Sequence, residues 1–122
     1  MNEIETIHEA LLAYPETEVS EPFGPGALVY KVADKMFALM SPEKVPVMLN
    51  LKCDPDRAIE LRDEYDSIQP GYHMNKKHWN SVYLDGGVPD EVVLDLVHHS
   101  FSCVLAKQSK AFRQRILQQI SD

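Results

Sequence analysis

Basic side chains are in short supply. Twelve Lys and Arg stand against nineteen Asp and Glu, a formal net charge of −7 over 122 residues, with a pI near 5.1. That balance excludes a protein that coats nucleic acid or anionic membrane by general attraction. Cysteine is nearly absent. Cys53 and Cys103 lie far apart in the chain and neither sits in a C-x-x-C pair, so zinc and thioredoxin-like sites have no basis. One bridge between them stays open, and the plainer reading is two small buried hydrophobes. No apolar run approaches the ~18 residues of a membrane helix, so no membrane partner is expected. The acidic start, Met1-Asn2-Glu3-Ile4-Glu5, lacks the basic region and apolar stretch of a signal peptide. The expected compartment is the cytoplasm, with reduced thiols.

Catalytic signatures are missing too. There is no G-x-S-x-G, phosphate-binding glycine loop or dinucleotide fingerprint. Gly24-Pro25-Gly26 has two glycines, but its proline removes an amide donor that a phosphate cradle needs. His98 and His99 are adjacent and diverge on a helix, and His73 and His78 are five apart rather than four. Asp54 beside Cys53 raises rather than lowers a thiol pKa. The expectation is a protein with no metal, no cofactor and no catalytic set.

What is present is ordinary globular material: 44% hydrophobic and 25% charged residues, enough for one domain over residues 1–122. Ile4, Ile7, Leu11 and Leu12 form one helical stripe that Tyr14-Pro15 ends. Residues 16–26 read as a short edge strand and a turn. Strands follow over 27–32 and 36–40, joined by a tight hairpin at Ala33-Asp34-Lys35, with Phe37 and Leu39 opposing Met36, Ala38 and Met40. A third strand over 45–52 places Val45, Val47, Leu49 and Leu51 inside and Pro46, Met48, Asn50 and Lys52 outside. Asp54-Pro55-Asp56 starts a helix reaching about Tyr65. Residues 66–78 read as a loop with one helical turn near its end, 79–84 as a strand, and Pro89-Asp90-Glu91 as the start of a helix with a wide apolar face. Ser109 caps a last helix in which Phe112, Ile116 and Ile120 recur every four residues. The predicted fold is two-layer α+β in the order α-β-β-β-β-α-β-α-α, an antiparallel sheet with helices on one face.

Charge is uneven. Residues 67–84 and 96–121 contain no acid, and a local positive face arises if these stretches meet in space. The segment Tyr72-His73-Met74-Asn75-Lys76-Lys77-His78-Trp79 interleaves aromatics with lysine, histidine and asparagine. Lysine neutralises phosphates, asparagine pairs with adenine edges, and aromatic rings stack on bases. The structural reading of Trp79 and Tyr83 is core packing, since positions 79, 81 and 83 share a strand face.

Five blocks in this order carry a family resemblance: Glu21-Pro22-Phe23-Gly24-Pro25, Lys35-Met36-Phe37-Ala38-Leu39, Asn50-Leu51-Lys52-Cys53-Asp54-Pro55, Pro70-Gly71-Tyr72-His73-Met74-Asn75-Lys76-Lys77-His78-Trp79 and Val82-Tyr83-Leu84-Asp85-Gly86. Together they resemble the MmcQ/YjbR family of small bacterial proteins. The resemblance implies a two-layer fold akin to secretion chaperones, described for the family as a double-wing DNA-binding type. It implies no catalytic residues.

Three functional expectations follow. A DNA-binding module would use Asn50 and Lys52 as exposed edge residues, His73, Asn75, Lys76, Lys77 and His78 at the patch, and Lys110 and Arg113 beyond it. Four to six phosphate contacts would then cost about two to three orders of magnitude in affinity between 50 and 200 mM salt. An adaptor domain, as a monomer or weak dimer, would offer a protein or peptide the exposed face of Met36, Met40 and Met48. A small-ligand site would be a cleft lined by His73, His78, Trp79 and Tyr83.

Overall fold

The computed structural model describes residues 3–121; Met1, Asn2 and Asp122 lie outside the described residues. The elements run α1 (Ile4–Leu12), β1 (Glu18–Ser20), β2 (Leu28–Val32), β3 (Lys35–Ser41), β4 (Met48–Lys52), α2 (Pro55–Glu64), β5 (Ile68–Pro70), β6 (Trp79–Tyr83), α3 (Asp90–Leu105) and α4 (Lys110–Ser121). The six strands form one antiparallel sheet in the order β1-β2-β3-β4-β6-β5. The α+β class, the antiparallel sheet and the order of helices are as predicted.

Local chemistry sets the boundaries. Asp54 accepts the Arg57 amide at the start of α2, with Pro55 in the first helical position, and Ser109 Oγ accepts the Phe112 amide at the start of α4. The β2–β3 turn consists of two residues with left-handed backbone, Ala33 (φ 52) and Asp34 (φ 62). This is the mirror-image turn whose twist matches paired strands.

β5 is a sixth strand inside the expected loop. It is short, ends in Pro70, and pairs only with β6 at the sheet edge, where a missing ladder donor is tolerated. Its one inward residue, Ile68, is fully buried.

A bulge alters the predicted facing of β3. Tyr30 pairs with Ala38 but Lys31 pairs with Met36, leaving Phe37 as an extra residue. Phe37 therefore joins Ala38 and Met40 in the core instead of opposing them. The Phe37 carbonyl accepts from the buried Ser100 hydroxyl of α3, which in turn accepts the Lys52 amide at 2.9 Å. One buried side chain thus satisfies backbone groups of β3 and β4 that would otherwise be costly to bury.

α3 lies across β3 and β4, α1 packs against α3, and α2 covers β5 and β6. Phe101 of α3 sits at the centre. It stacks on Tyr14 (4.7 Å between ring centroids, 25°) and meets Phe37 edge-on (5.3 Å, 88°). Ile116 of α4 is fully buried, whereas Ile120 remains 48% exposed, so the apolar repeat of α4 is only partly used.

The far face of the sheet is not open. Residues paired across strands share a face, which places Leu39, Asn50, Ser81 and Gln69 together, away from the helices. Asn50 is 1% exposed and Ser81 is fully buried. The Ser81 hydroxyl donates to Asn50 Oδ1 and accepts the Tyr72 amide at 2.9 Å, while Lys44 lies over the Tyr72 ring at 3.9 Å. The loop after β5 thus folds back over this face and meets the β3–β4 loop. β4 consequently has both faces covered. Met48 is buried, and Val45, expected inside, is fully exposed ahead of the strand.

Candidate nucleic-acid interface

Several expected contact residues have other duties. Asn50 is not an exposed edge residue: it lies on a central strand and its side chain is buried against Ser81. Lys52 is likewise on a central strand, not an edge, although its side chain is only half-buried. Arg113 reaches the carbonyls of Ala106 (3.4 Å) and Gln108 (2.7 Å), closing the turn after α3. Lys110 is exposed at the start of α4.

Residues 71–78 form the tip of the β5–β6 hairpin. The Gly71 amide donates to the Trp79 carbonyl at 2.9 Å, and a Cβ at Gly71 would lie 2.8 Å from that of Trp79, so only glycine allows this closure. His73 is exposed with a left-handed backbone (φ 56), its ring against Tyr72 at 4.1 Å. Asn75 is exposed and spends its Oδ1 on the Lys77 amide at 2.9 Å. Lys76 donates to the Gly71 carbonyl at 2.9 Å. Lys77 is exposed and its ammonium has no partner among the described residues. His78 is half-buried and its carbonyl accepts the Cys53 amide at 2.8 Å.

The tip is held from below by Arg62 of α2, a residue that sequence patterning does not single out. Its guanidinium donates to Asn80 Oδ1 (2.7 Å), to the Lys76 carbonyl and to the Trp79 carbonyl (3.3 Å). Replacing it leaves three acceptors short of a charged donor. Arg62→Ala is expected to lower stability by about 1–2 kcal/mol and speed amide exchange across residues 72–78, with α3 unchanged. Arg62→Lys should not restore protection, because one ammonium cannot span the three acceptors. Unchanged exchange in the loop would show that Arg62 does not hold it.

The cationic side chains gather somewhere else. The start of β3, the end of β4, the start of β6 and the C-terminal end of α3 border a cleft of about 480 Å³ lined by Lys35, Met36, Lys52, Trp79, Val104, Lys107 and Gln108. Three lysines of distant sequence position point there, and no carboxylate is on its walls. None of the three ammonium groups has a hydrogen bond or ion pair among the described residues. The register sets Lys52 beside Trp79 across β4 and β6. The Trp79 indole is half-buried and makes no ring contact or hydrogen bond among the described residues. Of the expected contact residues, only Lys52 lines this cleft. His73, His78 and Tyr83 do not line it.

The expected methionine surface does not exist either. Met40 faces the helices with Leu49 and is fully buried, and Met48 lies on the other face at 3% exposure, so the three methionines share no open face.

The two thiols lie near α3 and are free. Burial pushes Cys53 up to about 11, with Asp54 only a lesser contributor, and burial also raises Cys103. His99 accepts the Asp54 amide at 3.1 Å and lies 3.5 Å from Cys103 Sγ; burial lowers its pKa. Neutral thiol beside neutral imidazole is an unreactive arrangement near pH 7. No helix among the described residues is long and apolar enough to cross a membrane.

The YjbR family model matches residues 12–103. The protein YbdF of Escherichia coli O157:H7 is 38% identical over 112 residues, spanning 92% of each chain. YjbR of Escherichia coli K12 is 36% identical over 99 residues, covering 79% of this chain and 84% of its own. The crystal structure of Deinococcus radiodurans DR2400, with a DUF419 domain, aligns at a TM-score of 0.89 and 38% identity, covering 95% of this chain and 88% of that one. A Pseudomonas syringae protein aligns at a TM-score of 0.73 and 27% identity, covering 84% and 98% respectively.

Proposed function

We propose, on the premise that this chain belongs to the YjbR family, that it is a nucleic-acid-binding protein that uses the lysine cleft and catalyses no reaction. The observation that carries this reading is the convergence of Lys35, Lys52 and Lys107 on one cleft without a carboxylate. None of the three ammonium groups has a hydrogen bond or ion pair among the described residues, so each is free to meet an anion. Phosphate oxygens would serve, and a nucleic-acid backbone supplies them at regular spacing.

A net charge of −7 repels the same polymer over the rest of the surface, which favours a short local contact over a wrapped one. The adaptor alternative loses the methionine face that suggested it.

Three contacts make a smaller salt effect than the larger set expected from sequence. Affinity for a labelled oligonucleotide, followed by anisotropy, should fall about 20- to 40-fold between about 50 and 200 mM salt. No binding at the lower salt, or binding that ignores salt, would remove the nucleic-acid reading.

A further inference from the structure

We infer that the cleft takes a single-stranded segment of nucleic acid, with an unstacked base on Trp79 and its neighbouring phosphates on Lys35, Lys52 and Lys107. This rests on the nucleic-acid reading above and goes beyond it. The lysines alone would serve a duplex as well as a strand, because both present phosphates. The indole does not. A duplex keeps its bases stacked and paired, so a flat ring set between lysines would meet only its backbone. A single strand can turn a base outward onto the ring.

The geometry favours the strand in three ways. The cleft volume of about 480 Å³ suits one or two nucleotide units, and it is bordered by strand ends and a helix end rather than by a protruding helix that could enter a groove. The Trp79 indole has no aromatic neighbour or hydrogen-bond partner among the described residues. Met36 and Val104 give the cleft apolar wall beside the ring, as a base face requires. The backbone of Trp79 is firmly held. Its carbonyl is held by the Gly71 amide and by Arg62, and its backbone pairs with Lys52.

Trp79 is the sole tryptophan of the chain, so its fluorescence reports on this cleft alone. The test titrates the protein at about 50 mM salt with a short oligo-dT strand, a blunt duplex of about 20 base pairs, and AMP, while anisotropy of labelled strand and duplex reports binding. Saturable quenching by the strand, with little by the duplex, is expected. Trp79→Leu should weaken strand binding about tenfold or more, and Trp79→Phe should largely retain it.

Equal quenching by duplex and strand, or strand binding without quenching, overturns this inference and leaves the nucleic-acid reading standing. Quenching by AMP at the same concentrations overturns it in favour of a free nucleotide. Failure of both strand and duplex to bind removes the broader reading together with this one.

Discussion

A protein carrying Lys35→Ala, Lys52→Ala and Lys107→Ala together should lose about a hundredfold in affinity for nucleic acid near 0.1 M salt, with its stability nearly unchanged. Each phosphate contact contributes close to one log unit at that salt relative to 1 M, through counterion release. Three contacts therefore account for about two log units or slightly more. The salt dependence should flatten in step, losing roughly one unit of slope per lysine removed.

Stability should hold because none of the three ammonium groups has a protein partner among the described residues. Lys35 and Lys107 are exposed, and such positions usually stay within about 0.5 kcal/mol on substitution. Lys52 is half-buried and pairs in register with Trp79, so its removal carries a small packing cost. Its backbone amide stays bonded to Ser100 whatever the side chain.

The comparison variant is Lys76→Ala with Lys77→Ala. It should fold normally and weaken binding far less, since neither residue lines the cleft. If this pair abolishes binding while the triple variant binds like wild type, the contact surface is the hairpin tip and the cleft has another purpose.

Phe101→Ala should be the most damaging single substitution in the core, costing about 3–5 kcal/mol. Phe101 is 1% exposed and joins three parts of the fold: Tyr14 beyond α1, Phe37 at the bulge of β3, and its own helix α3. Truncation removes the buried ring and its two aromatic contacts, and it leaves a cavity that three different elements would have to move to fill. In a domain of this size the melting point should drop about 10–20 °C. Phe101→Leu, which keeps much of the volume, should cost markedly less. Urea unfolding measures both. A loss below about 1 kcal/mol for the alanine variant would mean that α1 and α3 collapse onto the vacancy and that the packing around Phe101 is loose.

The same helix connects core and cleft. α3 carries Phe101 inward, Ser100 to the backbone of β3 and β4, and Val104 to the cleft wall, with Lys107 just beyond its end. A core defect at Phe101 should therefore also blur the spacing of the three lysines.

Much of the architecture is legible in local sequence. Asp54-Pro55 and Ser109 start helices because their side chains or rings satisfy the first turn on the spot. The stripe ending at Tyr14-Pro15 and the wide apolar face of α3 follow from helical periodicity. The edge position of β1 and the β2–β3 hairpin also follow from short-range patterning. The misreadings come from interactions between segments. β5 is invisible to local pattern because three residues ending in proline carry almost no periodicity, and only pairing with β6 makes them a strand. Strict alternation sets Phe37 opposite Ala38 and Met40, because it cannot anticipate the bulge that turns Phe37 inward. Asn50 and Met48 read as exposed from alternation alone, which tells which residues share a face, not whether a loop returns to cover it.

The sequence by itself determined the α+β class, the helix limits and the family, and it marks the segment around Trp79 as a candidate patch, since each depends on residues close together in the chain. Tertiary structure alone decided which cations surround that tryptophan. Lys35 ends a hairpin turn, Lys52 ends a central strand and Lys107 follows a helix, and no local pattern links them. Charge acts through space, so a basic surface in an acidic protein becomes visible only when the sheet and α3 have been brought together.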